Sequence, residues 1–561
     1  VIATKRSRKL AIALLLLVAL FMAACSSGSD EEVSTGGSIT IGAEQEPDCL
    51  DFVGSCSGAS WGYWTVAVNT LPRVYSVERI GDSDEWENKI TNLMAKEPEL
   101  ETDPVQKITY TISEDAVWSD GKPIVGQDFV YTWDQIANTD DVYDKTGYKN
   151  IEKVEVDEDD DKVVVVTFKE DENFAGWKGL FGGSYGVLPS HILEGKDRAA
   201  ETADGYAFSG GPFKLEGGAA GWKKGESITL VRNDNYWGDK AKLDKVTFRF
   251  QTDTTAQFTA YKAGETLAIY PQPQIDVIDS INSGDLPGEQ KVNAVTGNLE
   301  ALWLNNEAAP FDDKNVREAL GYSMDRDAVV KALFGDIGVD EAVHSFLAPV
   351  VSAFSDPSGF EKFKPNAEKV DELLTDSGYA KNAAGIYAKG GDELTFTIHT
   401  TEGNQRRKLT LETLQKQLQD AGWKVELAFV PAGDLFGTIG PEGTFQAALY
   451  AQVLTTLDPG NCLLFCSENI PTPENDNSGN NWTRTNLPDA DPLLRRVDLE
   501  LDEDKRIEAS KASEKLLAAD ATSFPLDPLP NIFLWSDKLE GEIDENPIMG
   551  PFWTLSQWGL K

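Results

Sequence analysis

The sequence predicts an α/β architecture of two or three domains, and three observations carry that expectation. The chain has 561 residues, more than one hydrophobic core usually serves. Segments with the period-two, β-branched pattern of strands alternate with segments whose apolar residues recur at helical spacing. The sequence carries no internal repeat and no sustained heptad, which sets aside solenoids and coiled coils. Mixed strands and helices over this length belong to the α/β class.

The first element is a leader. Lys5, Arg6, Arg8 and Lys9 form a basic head, Leu10 to Met22 is an apolar run, and Ala23 and Ala24 precede Cys25. Basic head, apolar body and small residues at a cleavage point read as a secretory signal. The run is shorter than the about 20 apolar residues that span a bilayer core. Met22-Ala23-Ala24-Cys25 resembles the lipobox of bacterial lipoproteins, with Met22 where Leu is usual. That resemblance implies cleavage after residue 24 and a lipidated Cys25 that anchors the chain to the outer face of the cell membrane. Residues 25–37 are small, polar and acidic, a composition that makes a flexible tether.

Strands are expected at Ser38–Ala43, Lys107–Ser113, Ile151–Val156, Lys162–Lys169, Ser227–Arg232 and Lys245–Gln251. The acidic run Asp157–Asp161 reads as a solvated hairpin tip. A calcium loop would need Gly at its sixth position, where Lys162 stands. Asp313–Phe334 reads as a helix with Val316, Ala319, Leu320, Met324, Ala328 and Val329 on its apolar face. A helix over Ala367–Ser377 ending at Gly378, a strand over Glu393–Thr400, a helix over Arg407–Ala421 capped by Gly422, a strand over Lys424–Val430 and a long helical stretch over Leu493–Ala519 complete the chain.

Composition excludes one class of partner. Asp and Glu number 93 against 51 Lys and Arg, a formal net charge of −42, whereas nucleic-acid binding needs a basic surface. An acidic cleft would steer cations, although a solvated acidic surface accounts for the charge equally well. The five cysteines are Cys25, Cys49, Cys56, Cys462 and Cys466. With Cys25 lipidated, the other four allow three connectivities, of which two local bridges, Cys49–Cys56 and Cys462–Cys466, are the simplest. A four-cysteine metal site fits poorly, because the first pair is spaced too widely. Gly182-Gly183-Ser184-Tyr185-Gly186 matches G-x-S-x-G, but a nucleophile elbow needs a strand before and a helix after, and Pro189 follows almost at once. The three histidines, His191, His344 and His399, are far apart and form no metal motif. There is no Walker phosphate loop. No enzyme activity, cofactor or metal is expected.

Several segments, in order along nearly the whole mature chain, resemble the bacterial extracellular solute-binding proteins of family 5, the oligopeptide-, dipeptide- and nickel-binding lipoproteins of ABC importers. They are TYTISEDAVWSDGKPIVGQDFVYTW from Thr109 to Trp133, SGGPF from Ser209, RNDNYW from Arg232, LWLNNEAAPFDDKNVREALGYSMDR from Leu302 to Arg326, and the helix from Asn366 to Tyr379. Most of these are packing and turn elements. The resemblance implies a two-lobed periplasmic-binding-protein type II fold with an additional small domain: lobe I over 38–80, 200–300 and 528–561, the small domain over 81–199, and lobe II over 301–527. It implies a monomer that captures a small solute between the lobes, peptides foremost, and delivers it to ABC permease subunits. A lipoprotein of the same fold serving ligand sensing or envelope assembly, or a binder of a glycan or metal chelate, stands as the alternative.

The resemblance also places ligand contacts. Peptide binders of this family hold the ligand ammonium with an Asp four positions before a Pro. The matching position here, four before Pro459, is Thr455, and the aromatic three residues earlier is Gln452. Thr455 supplies no charge, and a buried ammonium needs an anionic partner. Leu454, Thr455 and Asp458 border the lobe II side, with Asp458 assigned to a turn and Cys462–Cys466 bracing the wall. Ser60, Trp61, Tyr63 and Trp64 match the lobe I loop that meets ligand in relatives, although core packing explains the aromatics as well. Tyr148 lies where the small domain of relatives contributes an aromatic. Arg406 and Arg407 read as an exposed helix start that could instead pair a carboxylate.

Overall fold

The computed structural model describes residues 33–561 apart from 55, 57–59, 82, 84, 184 and 476. The leader, the lipobox, Cys25, most of the tether and Ser184 lie outside the described residues. Among the described residues no helix is long and apolar enough to cross a membrane.

Two large sheets and a smaller one organise the chain. The first has eight strands in the order Glu289–Asn293, Asn531–Trp535, Ala268–Ile269, Ser38–Ala43, Lys245–Phe250, Ser227–Arg232 and Phe213–Leu215, with Trp222–Lys223 paired on Ser227–Arg232. Ser38–Ala43 runs parallel to Lys245–Phe250 in unbroken register, Ile39 opposite Val246 and Ile41 opposite Phe248; all four are buried. The second sheet has five strands in the order Lys424–Val430, Thr395–Thr401, Ala447–Val453, Asn298–Leu304 and Ser523–Asp527. These sheets form the two lobes. The small domain is a four-stranded antiparallel sheet, Glu99–Glu101, Lys107–Thr111, Val163–Phe168 and Ile151–Val156, and Asp157–Asp161 is the exposed hairpin tip expected.

The helix Gly126–Ala137 packs on this small sheet through Phe129, whose ring lies 5.8 Å from Tyr110 and 4.8 Å from Phe181. Its Asp128 is buried but fully satisfied. Oδ2 accepts from Val125 N at 3.1 Å and Trp118 Nε1 at 3.0 Å, and Oδ1 accepts from Ser190 N at 2.8 Å and Ser190 Oγ at 2.6 Å. A buried carboxylate is tolerated when its acceptors are used this way.

Two helices differ from expectation. The stretch 313–334 is two helices, Lys314–Ser323 and Arg326–Phe334, because Met324 is extended and Asp325 caps the second, its side chain accepting from Ala328 N. The stretch 493–519 is likewise Asp491–Leu499 and Glu503–Asp520, with Asp502 accepting from Lys505 N. Apolar periodicity ran through both breaks, while the local competition of an Asp side chain for backbone N–H groups decided them. Gly422 caps Gln405–Ala421 at φ 103°, as expected. Both disulfides, Cys49–Cys56 and Cys462–Cys466, are present.

Among the described residues the chain passes between the two large sheets twice, through residues 294–297 and 528–530. The passages are bonded to each other: Thr296 Oγ1 donates to Pro528 O at 2.6 Å, and Asn298 Nδ2 donates to Asn531 Oδ1 at 2.7 Å.

Candidate functional site

A cavity of about 220 Å³ lies where the two lobes and the small domain meet. Its walls come from all three: Phe52, Ser60 and Tyr63 from lobe I; Tyr143, Asp144, Tyr148 and the glycine-rich stretch Gly176–Gly183 from the small domain; Gln452, Leu454, Thr455, Asp458 and Asp498 from lobe II. A second cavity of about 100 Å³ shares Ser60 and Val453 with it and is lined by Glu44, Trp61, Trp64, Tyr270, Asn298 and Arg407. A third, of about 470 Å³, shares Tyr143 and Asn480 with the first and Phe436 with the second. The shared walls make one interlobe cleft with three compartments.

The lobe I wall is a single helical stretch. Ser60–Gly62 and Val68–Thr70 are α-helical and Tyr63–Ala67 between them is a π turn. Such turns re-aim side chains within a helix, and here Tyr63 faces the first cavity while Trp61 and Trp64 face the second. The Trp61 and Trp64 rings lie 5.6 Å apart, and Tyr270 stands 6.2 Å from one and 5.5 Å from the other. The aromatics therefore both pack and line the cleft, and the two readings are not exclusive. Trp64, only 6% exposed, has no hydrogen-bond partner for Nε1. Tyr63 Oη accepts from Arg73 Nη1 at 3.0 Å.

Tyr148 lines the first cavity, but its hydroxyl accepts from Phe181 N at 2.6 Å, so the ring is what it offers. Gln452 is the penultimate residue of the strand Ala447–Val453, and Leu454 and Thr455 continue the chain along the cavity wall. Asp458 sits in the turn that follows. Its Oδ1 accepts from Arg506 Nη2 at 2.7 Å and from Gly460 N at 3.3 Å. A Cβ on Gly176 would lie 1.8 Å from its Oδ2, so the small-domain backbone approaches this carboxylate as only glycine permits. The Cys462–Cys466 bridge closes the short helix Cys462–Phe465, whose Leu463 and Leu464 line the same wall. Gly182, Gly183 and Tyr185 also line the cavity, but no strand leads into them and no helix leaves them directly, so the nucleophile-elbow geometry is absent from the described residues there.

Sequence reasoning missed Tyr143, Asp144 and Asp498. Burial pushes the Tyr143 phenol up to about 12. Burial raises the Asp144 carboxyl, against the Thr146 hydrogen bonds that favour its charge. Asp498 is raised well above the usual range by burial and then by the neighbouring Asp458. Asp498 lies on the helix Asp491–Leu499, where an acidic residue in sequence reads as solvent-facing. Nothing in the local pattern sets it apart.

Arg406 and Arg407 correct an expectation. They are not an exposed helix start: Arg406 is 1% exposed. Arg406 Nη1 bonds Glu300 Oε2, Arg407 Nε donates to Glu300 Oε1 at 2.6 Å, and Arg406 Nε donates to Gln272 Oε1 at 3.1 Å. Glu300 lies on one strand that leaves the interlobe passage and Asp527 on the strand that enters the other. Burial opposes ionisation of Glu300, but the two guanidiniums outweigh it and hold the carboxyl low. Asp527 is pushed up by burial despite Arg406. The helix start faces the crossing strands, which is why Arg406 is buried and Arg407 half-buried.

The family described as bacterial extracellular solute-binding proteins, family 5 Middle, matches residues 89–469. The oligopeptide-binding protein AppA of Bacillus subtilis is 24% identical over 508 residues, covering 88% of each chain. Its structure with a nonapeptide superposes with a TM-score of 0.79 over 94% of this chain and 100% of its own, at 21% identity. A periplasmic EDTA-binding protein, EppA, gives 0.79 over 94% and 97% at 24% identity. NikZ of Campylobacter jejuni, in complex with Ni(L-His), gives 0.76 over 93% and 99% at 19% identity.

Proposed function

The chain belongs to the bacterial extracellular solute-binding proteins of family 5, and from that premise we propose that it captures a small solute, most often a peptide, in the interlobe cleft and delivers it to ABC permease subunits. The family is one of binding proteins, not of enzymes. The observation that carries the proposal is the cavity walled jointly by Tyr63, Tyr148 and Thr455, one from each body of the molecule. A solute that touches all three favours the arrangement in which they close on it. Lobe limits of 38–80, 200–300 and 528–561, small-domain limits of 81–199 and lobe II limits of 301–527 are part of the same reading, supported by the membership of the three sheets. So are anchoring through a lipidated Cys25, release outside the cytoplasm and a monomeric state.

Peptides are favoured by the sequence relatives named for them. A non-peptide solute is the second reading, favoured by Thr455 in place of an acidic clamp and by the structural neighbours EppA, an EDTA-binding protein, and NikZ, in complex with Ni(L-His). Trp64 Nε1 and Gln45 Nε2, both without partners and both on the second cavity, suit ligand oxygens in either case.

A thermal-shift screen of the purified protein over mixed peptides, amino sugars, glycans and metal chelates tests the proposal. A ligand at 100 times its dissociation constant adds about 2.7 kcal/mol of stability. A shift with peptides supports the first reading, and a shift with chelates or glycans alone supports the second. No shift with any class overturns solute capture in favour of sensing or assembly.

A further inference from the structure

The lobe II corner of the first cavity is short of positive charge. Asp144 and Asp498 both line it. The charged groups facing Asp498 are Asp458, Lys149, Arg506 and Asp144. The two cations among them are committed elsewhere. Arg506 Nη2 sits 2.7 Å from Asp458 Oδ1 and its Nε donates to Val497 O at 2.7 Å, while Lys149 Nζ sits 3.0 Å from Glu468 Oε1. Asp498 Oδ1 is shut off from solvent and has no hydrogen-bond partner.

The backbone makes room for this carboxylate. A Cβ on Gly460 would lie 2.2 Å from Asp498 Oδ1, so any other residue there would displace it. Ionising an unpaired carboxyl in a buried corner is costly in the empty protein, and a cation brought beside it offsets that cost. Thr455, the position from which peptide-binding relatives supply a negative charge, is uncharged here, yet it lines the same cavity.

We propose that the Asp498–Asp144 corner receives a cationic group of the solute, an ammonium or a guanidinium, in place of an acidic residue at position 455. The inference rests on the reading of the cleft as a solute site. It narrows the ligand to solutes with a positive group, whether a peptide's terminal amine or a basic side chain.

Three probes separate the sources: tetra-alanine with a free amine, N-acetyl-tetra-alanine amide, and an N-acetylated tetrapeptide amide carrying one Arg. Calorimetric titration near pH 7 in two buffers of different ionisation enthalpy reads affinity and proton exchange together. The expected result is binding of one or both cationic probes at least tenfold tighter than the neutral one, with net proton release as Asp498 ionises against the ligand. Asp498→Asn lowers that affinity tenfold or more and removes the proton release. Without ligand, its unfolding midpoint is no lower than the parent's, because the Asp498 carboxyl is held toward its neutral form by burial and makes no hydrogen bond through Oδ1 that the variant would lose. If Asp498→Asn does not fold, Asp144→Asn carries the same test. Equal binding of charged and neutral probes, unchanged in the variant, overturns the proposal and leaves solute capture standing. Binding of none of the three also overturns it; solute capture then stands only if the wider screen finds a neutral or anionic ligand.

Discussion

Arg406 concentrates the residue-scale energetics of the interlobe region. Its guanidinium neutralises Glu300 from one side while Arg407 does so from the other, and Asp527 Oδ2 stands 3.8 Å from its Nη1. Removing one partner of a buried ion network leaves an uncompensated charge, which costs about 3–5 kcal/mol. Arg406→Met is therefore expected to lower unfolding stability by about that amount in urea titration; a loss near zero would mean that Arg407 alone satisfies Glu300. Residues of this kind are poorly legible in sequence. The pair Arg406-Arg407 opens a helix rich in polar residues, and only the strand that faces it, far along the chain, decides whether it is buried. Thr455 could be placed on the cavity wall for the opposite reason: a local resemblance ending at Pro459 marks the position. Asp498 had neither a local pattern nor a motif to mark it.

At the scale of elements, the eight strands read from sequence fall within about two residues of their limits because β-branched alternation is a strictly local signal, whereas the buried strands Asn298–Leu304, Ala447–Val453, Ser523–Asp527 and Asn531–Trp535, which lack that alternation, were not read. Ser38–Ala43, Ile151–Val156, Ser227–Arg232 and Lys424–Val430 fall on their predicted limits. Helix continuity was read less well. Asp325 and Asp502 each interrupt an apolar face that continues beyond them, and each caps the helix that follows. An N-cap Asp replaced by Ala costs about 1 kcal/mol. Asp502→Ala is expected to destabilise the protein by about that much in chemical denaturation and to leave solute affinity unchanged, since Asp502 lines none of the three compartments. A much larger loss would indicate that the break between Asp491–Leu499 and Glu503–Asp520 fixes the position of the wall that carries Asp498. The π turn at Tyr63–Ala67 was not legible at all, because it arises from packing rather than from residue type.

For the whole molecule, buried carboxyls set the dependence of stability on pH. Burial pushes Glu514 and Glu545 up to about 7 from an ordinary 4.5. Between those values the folded chain holds more protons at these sites than the unfolded chain, so their contribution is complete below pH 4.5 and is lost as pH rises through 7. Glu300, held low in the fold, acts oppositely, and its contribution is lost as pH falls below 4.5. Burial lowers His344 and His399 from 6.5, and their contribution is lost as pH falls below that value. The denaturation midpoint is expected to peak between about pH 5 and 6 and to be lower at pH 8, with a smaller drop in Glu545→Gln; a midpoint that climbs from pH 5 to pH 8 would refute this balance. The fold as a whole was legible because family motifs lie on turns and packed helices, which serve the architecture whatever the ligand. The two bonded passages between the lobes have a mechanical result. Antiparallel straps tied to each other by Thr296 and Asn298 cannot slide past one another without breaking those bonds. The angle between the two large sheets is then set by two short segments of seven residues in all, so a change of shape in either one is felt by both lobes at once.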